Sequence, residues 1–349
     1  MGDTPNELLT VRELRKYFPL RAQNLRGERA MVQAVDGVSF TISEGETLGI
    51  VGESGCGKST TARLLMHLIE PDAGEIRFEG RALGRGGFTV RELRRKMQMV
   101  FQDSYASLNP RLAVQDSIAF GPMAHGASEA KARSRARELL ELVKLDPDQF
   151  GRRYPHELSG GQRQRINFAR ALALEPRLVI LDEAVSALDK SIEAQVLNLL
   201  MDLKKNLRLT YLFISHDLGV VQYVSDHVLV MYLGKVVELG RVAEVYHRPR
   251  HPYTQALLAS RPSMDPDARL ERSPLPGDPP NPINPPSGCR FRTRCAFAED
   301  VCRRVEPLLK VQDTAPGHFA ACHMAIRGSG HSKASPGMTA PLDRACPAG

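Results

Sequence analysis

Residues 46–65 read ETLGIVGESGCGKSTTARLL, and this stretch decides the fold. A short apolar run, Glu46–Gly52, passes into Gly52–Ser59, which fits G-x-x-x-x-G-K-S/T, and then into a helix-like segment. Strand, glycine-rich loop and helix in that order form a phosphate-binding loop. Gly52, Gly55 and Gly57 let the backbone curl so that successive N–H groups face a phosphate, and the helix N-terminus adds its positive dipole end. Glu53, Ser54, Cys56 and Thr60 complete the expected nucleotide-binding set. Lys58 brings a point charge to the β- and γ-phosphates, and the Ser59 hydroxyl ligates Mg²⁺. The Cys56 side chain reads as filler.

Outward from this loop the pattern repeats. Arg177–Glu183, RLVILDE, and Leu209–Ser215, LTYLFIS, are further apolar runs followed by helix-like segments. Such alternation predicts an α/β fold with mainly parallel central strands. The first of these runs delivers Asp182 towards Mg²⁺, and Glu183 beside it is placed to orient or deprotonate an attacking water. About residues 91–170 the pattern is mostly helical, as in SEAKARSRARELLELVKL (Ser128–Leu145), which predicts an inserted helical subdomain. His227–Gly240 reads as a hairpin turning at Gly234-Lys235. Residues 1–260 are thus expected to form the nucleotide-binding domain and 261–325 a proline-rich arm with a cysteine-rich C-terminal domain. Residues 326–349 are expected to be a disordered tail.

Composition narrows the class. The chain has 349 residues, 42% hydrophobic and 25% charged, which suits a soluble globular protein. No run reaches the eighteen apolar residues of a membrane span, and the N-terminus lacks the apolar core of a signal peptide. The chain is therefore expected in the cytosol, against a membrane only through a partner. Its net charge of +7 comes without tryptophan and without a basic run interleaved with aromatics, so no nucleic-acid face is expected.

LSGGQRQR, Leu158–Arg165, narrows the reading further. With the motifs above, in this order, it resembles the ATP-binding-cassette (ABC) family over roughly Leu8–Ala259. The resemblance implies a P-loop ATPase with a mostly parallel central sheet, an antiparallel β subdomain and an inserted helical subdomain, to which the C-terminal cysteine-rich module is added. It implies that Ser159, Gly160, Gly161 and Gln162 act in trans on ATP held by a partner subunit, with Asp189 of SALD (Ser186–Asp189) contacting that partner. Gln102, in QMVFQDSYASLNP, matches the glutamine that touches Mg²⁺ and the attacking water, so Mg²⁺ is assigned to Ser59, Gln102 and Asp182. His216 of FISHDL matches the switch histidine that bonds the γ-phosphate, which makes Glu183, His216 and Gln102 the catalytic set. Phe18 of LRKYF matches the adenine-stacking aromatic, with Tyr17 as the alternative. The sequence departs from the family at Ala184, where many relatives have proline, and at Ser104, where proline is common; neither position supplies a ligand.

Finer features resemble the ATPases of oligopeptide/dipeptide importers, and the second ATPase of the usual pair in particular. These are RRKMQMVFQDSYASLNPR (Arg94–Arg111) and HPYTQALLAS (His251–Ser260), followed by PLPGDPPNP (Pro274–Pro282). The resemblance implies ATP hydrolysis coupled to peptide uptake. It also implies a homologous ATPase as heterodimer partner, two integral membrane permease subunits, an extracytoplasmic binding protein, and a peripheral place on the cytoplasmic face of the membrane. Nickel chelates and glutathione stand behind peptides as solutes. The rival reading is a soluble ABC ATPase acting on nucleic acid or the ribosome; such machines carry tandem cassettes or a long coiled-coil insertion, which this chain lacks.

Cys289, Cys295, Cys302 and Cys322 form C-x5-C-x6-C-x19-C. In a cytosolic chain such clustering argues for metal rather than disulfides. The gaps are wider than the C-x2-C pairs of most structural zinc sites and compatible with a 4Fe–4S cluster. The family resemblance favours the cluster, with zinc or free thiols as alternatives. Arg290, Arg292, Arg294, Arg303 and Arg304 could balance its charge, and Cys346 reads as a free thiol in the tail.

Overall fold

The computed structural model describes residues 7–23, 29–84, 87–260, 277–312 and 315–334. Most of the expected proline-rich arm, at 261–276, and Cys346 lie outside the described residues.

Residues 1–236 make one compact unit. It opens with β1 (Glu7–Gln23), β2 (Arg29–Ser43) and β3 (Thr47–Val51), followed by α1 (Lys58–Leu65), β4 (Ala73–Phe78) and β5 (Arg81–Ala82). Strands β2-β1-β4-β5, in that order, form an antiparallel sheet. Next come α2 (Val90–Lys96), β6 (Met97–Val100), α3 (Val114–Ala124), α4 (Glu129–Leu142), α5 (Pro147–Phe150) and α6 (Gly160–Leu172). The unit continues through β7 (Leu178–Asp182), α7 (Lys190–Leu207), β8 (Thr210–Ile214), α8 (Leu218–Val224) and β9 (His227–Tyr232). A tight turn at Leu233-Gly234, both at positive φ, leads into β10 (Lys235–Arg241).

Strands β9-β3-β8-β7-β6 are parallel neighbours. Every residue of β3, β7 and β8 is buried, as expected where crossovers cover a parallel sheet. The mostly helical stretch contains one strand of this sheet, β6, which pairs with β7. Beyond it α3, α4 and α6 pack on one another. The inward stripe of α4 is Ala132, Ala136, Leu139 and Leu140, an i, i+4 pattern, and Ser128 caps its start by accepting from Lys131 N–H.

Residues 237–349 make the second compact unit, which begins earlier than the boundary after residue 260 expected from composition. It contains the rest of β10, then α9 (Val242–His247), α10 (Pro252–Ala259), α11 (Asp300–Arg304), β11 (Lys310–Gln312) and β12 (Ala315–Ala320). Strands β10 and β11 both pair antiparallel with β12. Packing explains the earlier boundary: Tyr253 of α10 is fully buried, with its ring 5.4 Å from that of Phe291 in the cysteine segment. Of the expected tail, residues 335–349 lie outside the described residues. Residues 326–334 are placed, with His331 buried and donating from Nε2 to the Phe297 carbonyl at 2.8 Å, and Ser332 N–H donating to Glu299 at 2.9 Å. Low hydrophobicity hid this segment because polar contacts, not apolar ones, hold it.

Candidate functional site

The phosphate loop joins β3 to α1 with the geometry its glycines permit. Gly52 has φ 151°, and a Cβ there would lie 2.3 Å from the Met231 carbonyl oxygen. Gly57 has φ 110°, and its Cβ would strike the Ala34 carbonyl oxygen at 2.3 Å. No side chain fits at either place. Lys58 is buried with its ammonium centred over the loop, donating to the Gly52 carbonyl at 2.7 Å and the Glu53 carbonyl at 3.0 Å. The Cys56 sulfur is also buried, 3.9 Å from the Lys58 Nζ, and burial raises its thiol pKa.

At the end of β7, Asp182 accepts a hydrogen bond from Ser59 Oγ at 2.9 Å. Burial raises its pKa, and the neighbouring Glu183 charge adds to the rise, while Ser59, Arg63 and Lys58 oppose it. A buried carboxylate beside a serine hydroxyl and a lysine suits a hydrated divalent cation. Glu183 sits in the left-handed region with φ 48°. Its N–H donates to Ile214 of β8 at 2.9 Å, and its carbonyl accepts from Ser186 Oγ at 2.9 Å. Such a backbone costs about 1–3 kcal/mol and persists only where its surroundings hold it. The result is an aimed carboxylate: Gln102 Nε2 donates to Glu183 Oε2 at 2.9 Å, and His216 Nδ1 stands 3.6 Å from the same oxygen. Two residues drawn from separate motifs thus converge on one oxygen of a third.

Residues missed from sequence surround this centre. Asp217 caps α8, accepting from Gly219 N–H at 2.8 Å, and Lys190 bonds Asp217 at 2.9 Å, so the start of α7 after Asp189 is tied to the turn carrying His216. The available signal was an Asx cap directly after the histidine. Tyr17 and Phe18 separate clearly: Tyr17 O–H donates to Asp36 at 2.6 Å, whereas Phe18 is half-buried with Lys16 Nζ 5.7 Å from its ring centre. Ser159 starts α6 through a capping box, accepting from Gln162 N–H while the Gln162 side chain accepts from Ser159 N–H. Gly161 lies against Ile192 of α7, where a Cβ would come within 2.6 Å. Ala184 is buried, and the Ser104 carbonyl accepts from Asn167 at 3.0 Å, so neither departure from the family disturbs the centre.

In the second unit Cys289, Cys295, Cys302 and Cys322 line one small chamber, with His251, His323 and His331 also in its wall. Cys289 N–H donates to the Cys302 carbonyl at 2.8 Å, which ties two of the four together. Burial pushes the Cys289 thiol up to about 12 and that of Cys322 to about 11, and it raises Cys295 as well. Backbone N–H groups two residues on, at Phe291, Phe297 and Met324, oppose these shifts by bonding the sulfurs of Cys289, Cys295 and Cys322. Among the described residues no group of three or more His, Cys, Asp or Glu stands where it could hold a metal ion. Arg290 and Arg294 are buried rather than facing water, while the Arg304–Asp300 pair is exposed.

Residues 35–186 match the family model described as ABC transporter, and residues 237–302 match the one described as oligopeptide/dipeptide transporter, C-terminal region. The chain is 51% identical over 324 residues to a putative peptide import ATP-binding protein of Brucella ovis, covering 92% of this chain and 98% of that protein. It is 49% identical over 322 residues to the oligopeptide transport ATP-binding protein AppF of Bacillus subtilis, covering 91% and 97%. Among solved structures it resembles cbiO1 of Clostridium perfringens, part of an ABC transporter complex, with TM-score 0.59, 28% identity, and 70% of this chain and 92% of that chain covered. A dimeric ATP-binding cassette in a post-hydrolysis state, bound to ADP and Pi, aligns with TM-score 0.58 and 26% identity over 67% of this chain and 99% of that one. No helix among the described residues is long and apolar enough to cross a membrane. With this P-loop fold and these relatives along nearly its whole length, the chain belongs to the ATP-binding subunits of ABC transporters, in the branch that carries the oligopeptide/dipeptide C-terminal region.

Proposed function

We propose that this chain hydrolyses ATP to drive uptake of di- or oligopeptides through two membrane permease subunits, from a peripheral position on the cytoplasmic face. The observation that carries the catalytic half is the convergence of Gln102 and His216 on the Glu183 carboxylate, beside the Ser59–Asp182 pair. The names of the relatives carry the cargo. ATP lies on Gly52–Thr60 with its phosphates under Lys58. Ser59, Asp182 and Gln102 would hold Mg²⁺, which would neutralise charge on the β- and γ-phosphates. Glu183 takes a proton from the water that attacks the γ-phosphorus, and the bond from that phosphorus to the β–γ bridging oxygen breaks, leaving ADP and phosphate. His216 bonds the γ-phosphate and loses that bond when phosphate departs. Phe18 stacks on adenine, because the Tyr17 hydroxyl is held by Asp36.

In the assembly, Ser159–Gln162 and Asp189 meet the ATP of a homologous partner ATPase, the second member of a heterodimer served by an extracytoplasmic binding protein. The exposed Phe101, Tyr105, Phe120 and Met123 provide apolar surface for the permease subunits.

To the four-cysteine chamber we assign a 4Fe–4S cluster rather than zinc. Its thiols line one buried wall and three receive backbone N–H bonds, as sulfurs around such clusters do. The cluster would staple a unit with little apolar core.

Replacing Glu183 by Gln tests the catalytic reading. ATP binding should persist while hydrolysis falls roughly 10²–10⁴-fold, the usual worth of a general base. Hydrolysis at the wild-type rate would reject Glu183 as base.

A further inference from the structure

The motif His251-Pro252-Tyr253-Thr254 has no part in nucleotide chemistry, yet its histidine lies at the wall of the four-cysteine chamber. Three imidazoles share that wall, and their hydrogen bonds set their tautomers. His331 uses both nitrogens, Nε2 with the Phe297 carbonyl at 2.8 Å and Nδ1 accepting from Lys333 N–H at 3.1 Å. His323 donates from Nε2 to the Val305 carbonyl at 2.9 Å, so its Nδ1 carries no proton to give. His251 is the reverse. Its Nδ1 accepts from Tyr253 N–H at 3.0 Å, which places the single ring proton on Nε2.

The position of His251 is fixed from behind. Its backbone N–H donates to Glu238 Oε2 at 3.0 Å, and Arg250 N–H donates to Glu238 Oε1 at 2.7 Å. Glu238 is fully buried on β10 and is also bonded by His318 Nε2 at 2.7 Å. The ring itself stands 5.7 Å from Phe291, two residues past Cys289. Of the chamber's imidazoles, then, His251 alone keeps an N–H that no protein group accepts among the described residues.

We infer that His251 is a positioning residue for the chamber, donating its Nε2–H to a sulfur of the cluster held by Cys289, Cys295, Cys302 and Cys322 and thereby raising that cluster's reduction potential. The inference rests on the cluster reading above. A hydrogen bond to sulfur stabilises the added negative charge of the reduced form, so the donor favours reduction.

The test uses the full chain purified anaerobically, its iron and sulfide content measured, with a dithionite redox titration followed by visible absorption and EPR. His251→Asn keeps an acceptor that can cap α10 while removing the imidazole donor. The expected result is equal iron content and a midpoint potential shifted to more negative values, with His323→Gln leaving the potential unmoved. Iron-loaded His251→Asn with the wild-type potential would overturn the inference and leave the cluster reading standing. Zinc, or no metal, in the wild-type chain would sink the cluster reading and the inference with it. Should His251→Asn not accumulate, pulsed EPR of the reduced wild-type chain labelled with ¹⁵N-histidine decides: a resolved ¹⁵N coupling to the cluster spin supports the bond, and its absence refutes it.

Discussion

Asp182 shows how one residue can be poor for stability and right for its place. Its pKa is raised above the unfolded value because burial penalises the charge and Glu183 adds repulsion. A carboxylate with a raised folded pKa binds its proton more readily folded than unfolded. It therefore weakens the fold once the pH is above both values, and the penalty fades as pH falls into the range where the folded group takes up its proton. Asp182→Asn should accordingly melt at a higher temperature than the wild-type chain at pH 7 without nucleotide, with the gap closing as pH is lowered. The same variant should lose the Mg²⁺-dependent part of nucleotide affinity. A differential scanning series across pH checks the first half, and a lower melting point at neutral pH would contradict it. Lys58→Ala should abolish nucleotide binding, since the ammonium is the one cation centred over the loop among the described residues; unchanged affinity in a fluorescent-nucleotide titration would count against the loop assignment.

At the scale of elements, the parts that read correctly from sequence are those whose signals are local. The loop Gly52–Thr60, the run into Asp182 and the helix start at Ser159 each carry their instructions within about ten residues, so strand, turn and cap could be placed without knowing what they touch. Segments that depend on distant partners were misread. His331 sits in a polar stretch with no periodicity, and its burial depends on Phe297 and Glu299, over thirty residues away. His251 caps α10, but nothing near it in sequence shows that its ring also reaches the wall that Cys322 lines. Ending the chain after Ala325 should therefore destabilise the second unit by about 1–3 kcal/mol, the cost of leaving groups such as the Phe297 carbonyl unpaired. Faster proteolysis between residues 277 and 325 in the shortened chain would show it; an unchanged digestion pattern would mean that the segment contributes nothing.

For the whole molecule, the division into two compact units separates two kinds of chemistry. Among the described residues the nucleotide centre is built from residues up to Asp217, and the cysteine chamber is lined from His251 onward. Cys302→Ser should thus abolish metal loading while ATP affinity stays within about twofold of wild type. A collapse of ATP affinity in a soluble Cys302→Ser chain would show that the two centres depend on each other. Composition could not reveal this division, because the shift to proline-rich sequence begins after Ala259 whereas packing draws the line at Val236–Val237.

That line falls inside β10, a strand running without interruption from Lys235 to Arg241. The boundary between the two units therefore lies in a hydrogen-bonded strand rather than in a loop. A recombination event joining this C-terminal region to another cassette would have to cross over within the hairpin and carry Glu238, His251 and all four cysteines as a single heritable block. Chimeras spliced in the apparently permissive proline-rich stretch would instead part Tyr253 from Phe291 and inherit half a core.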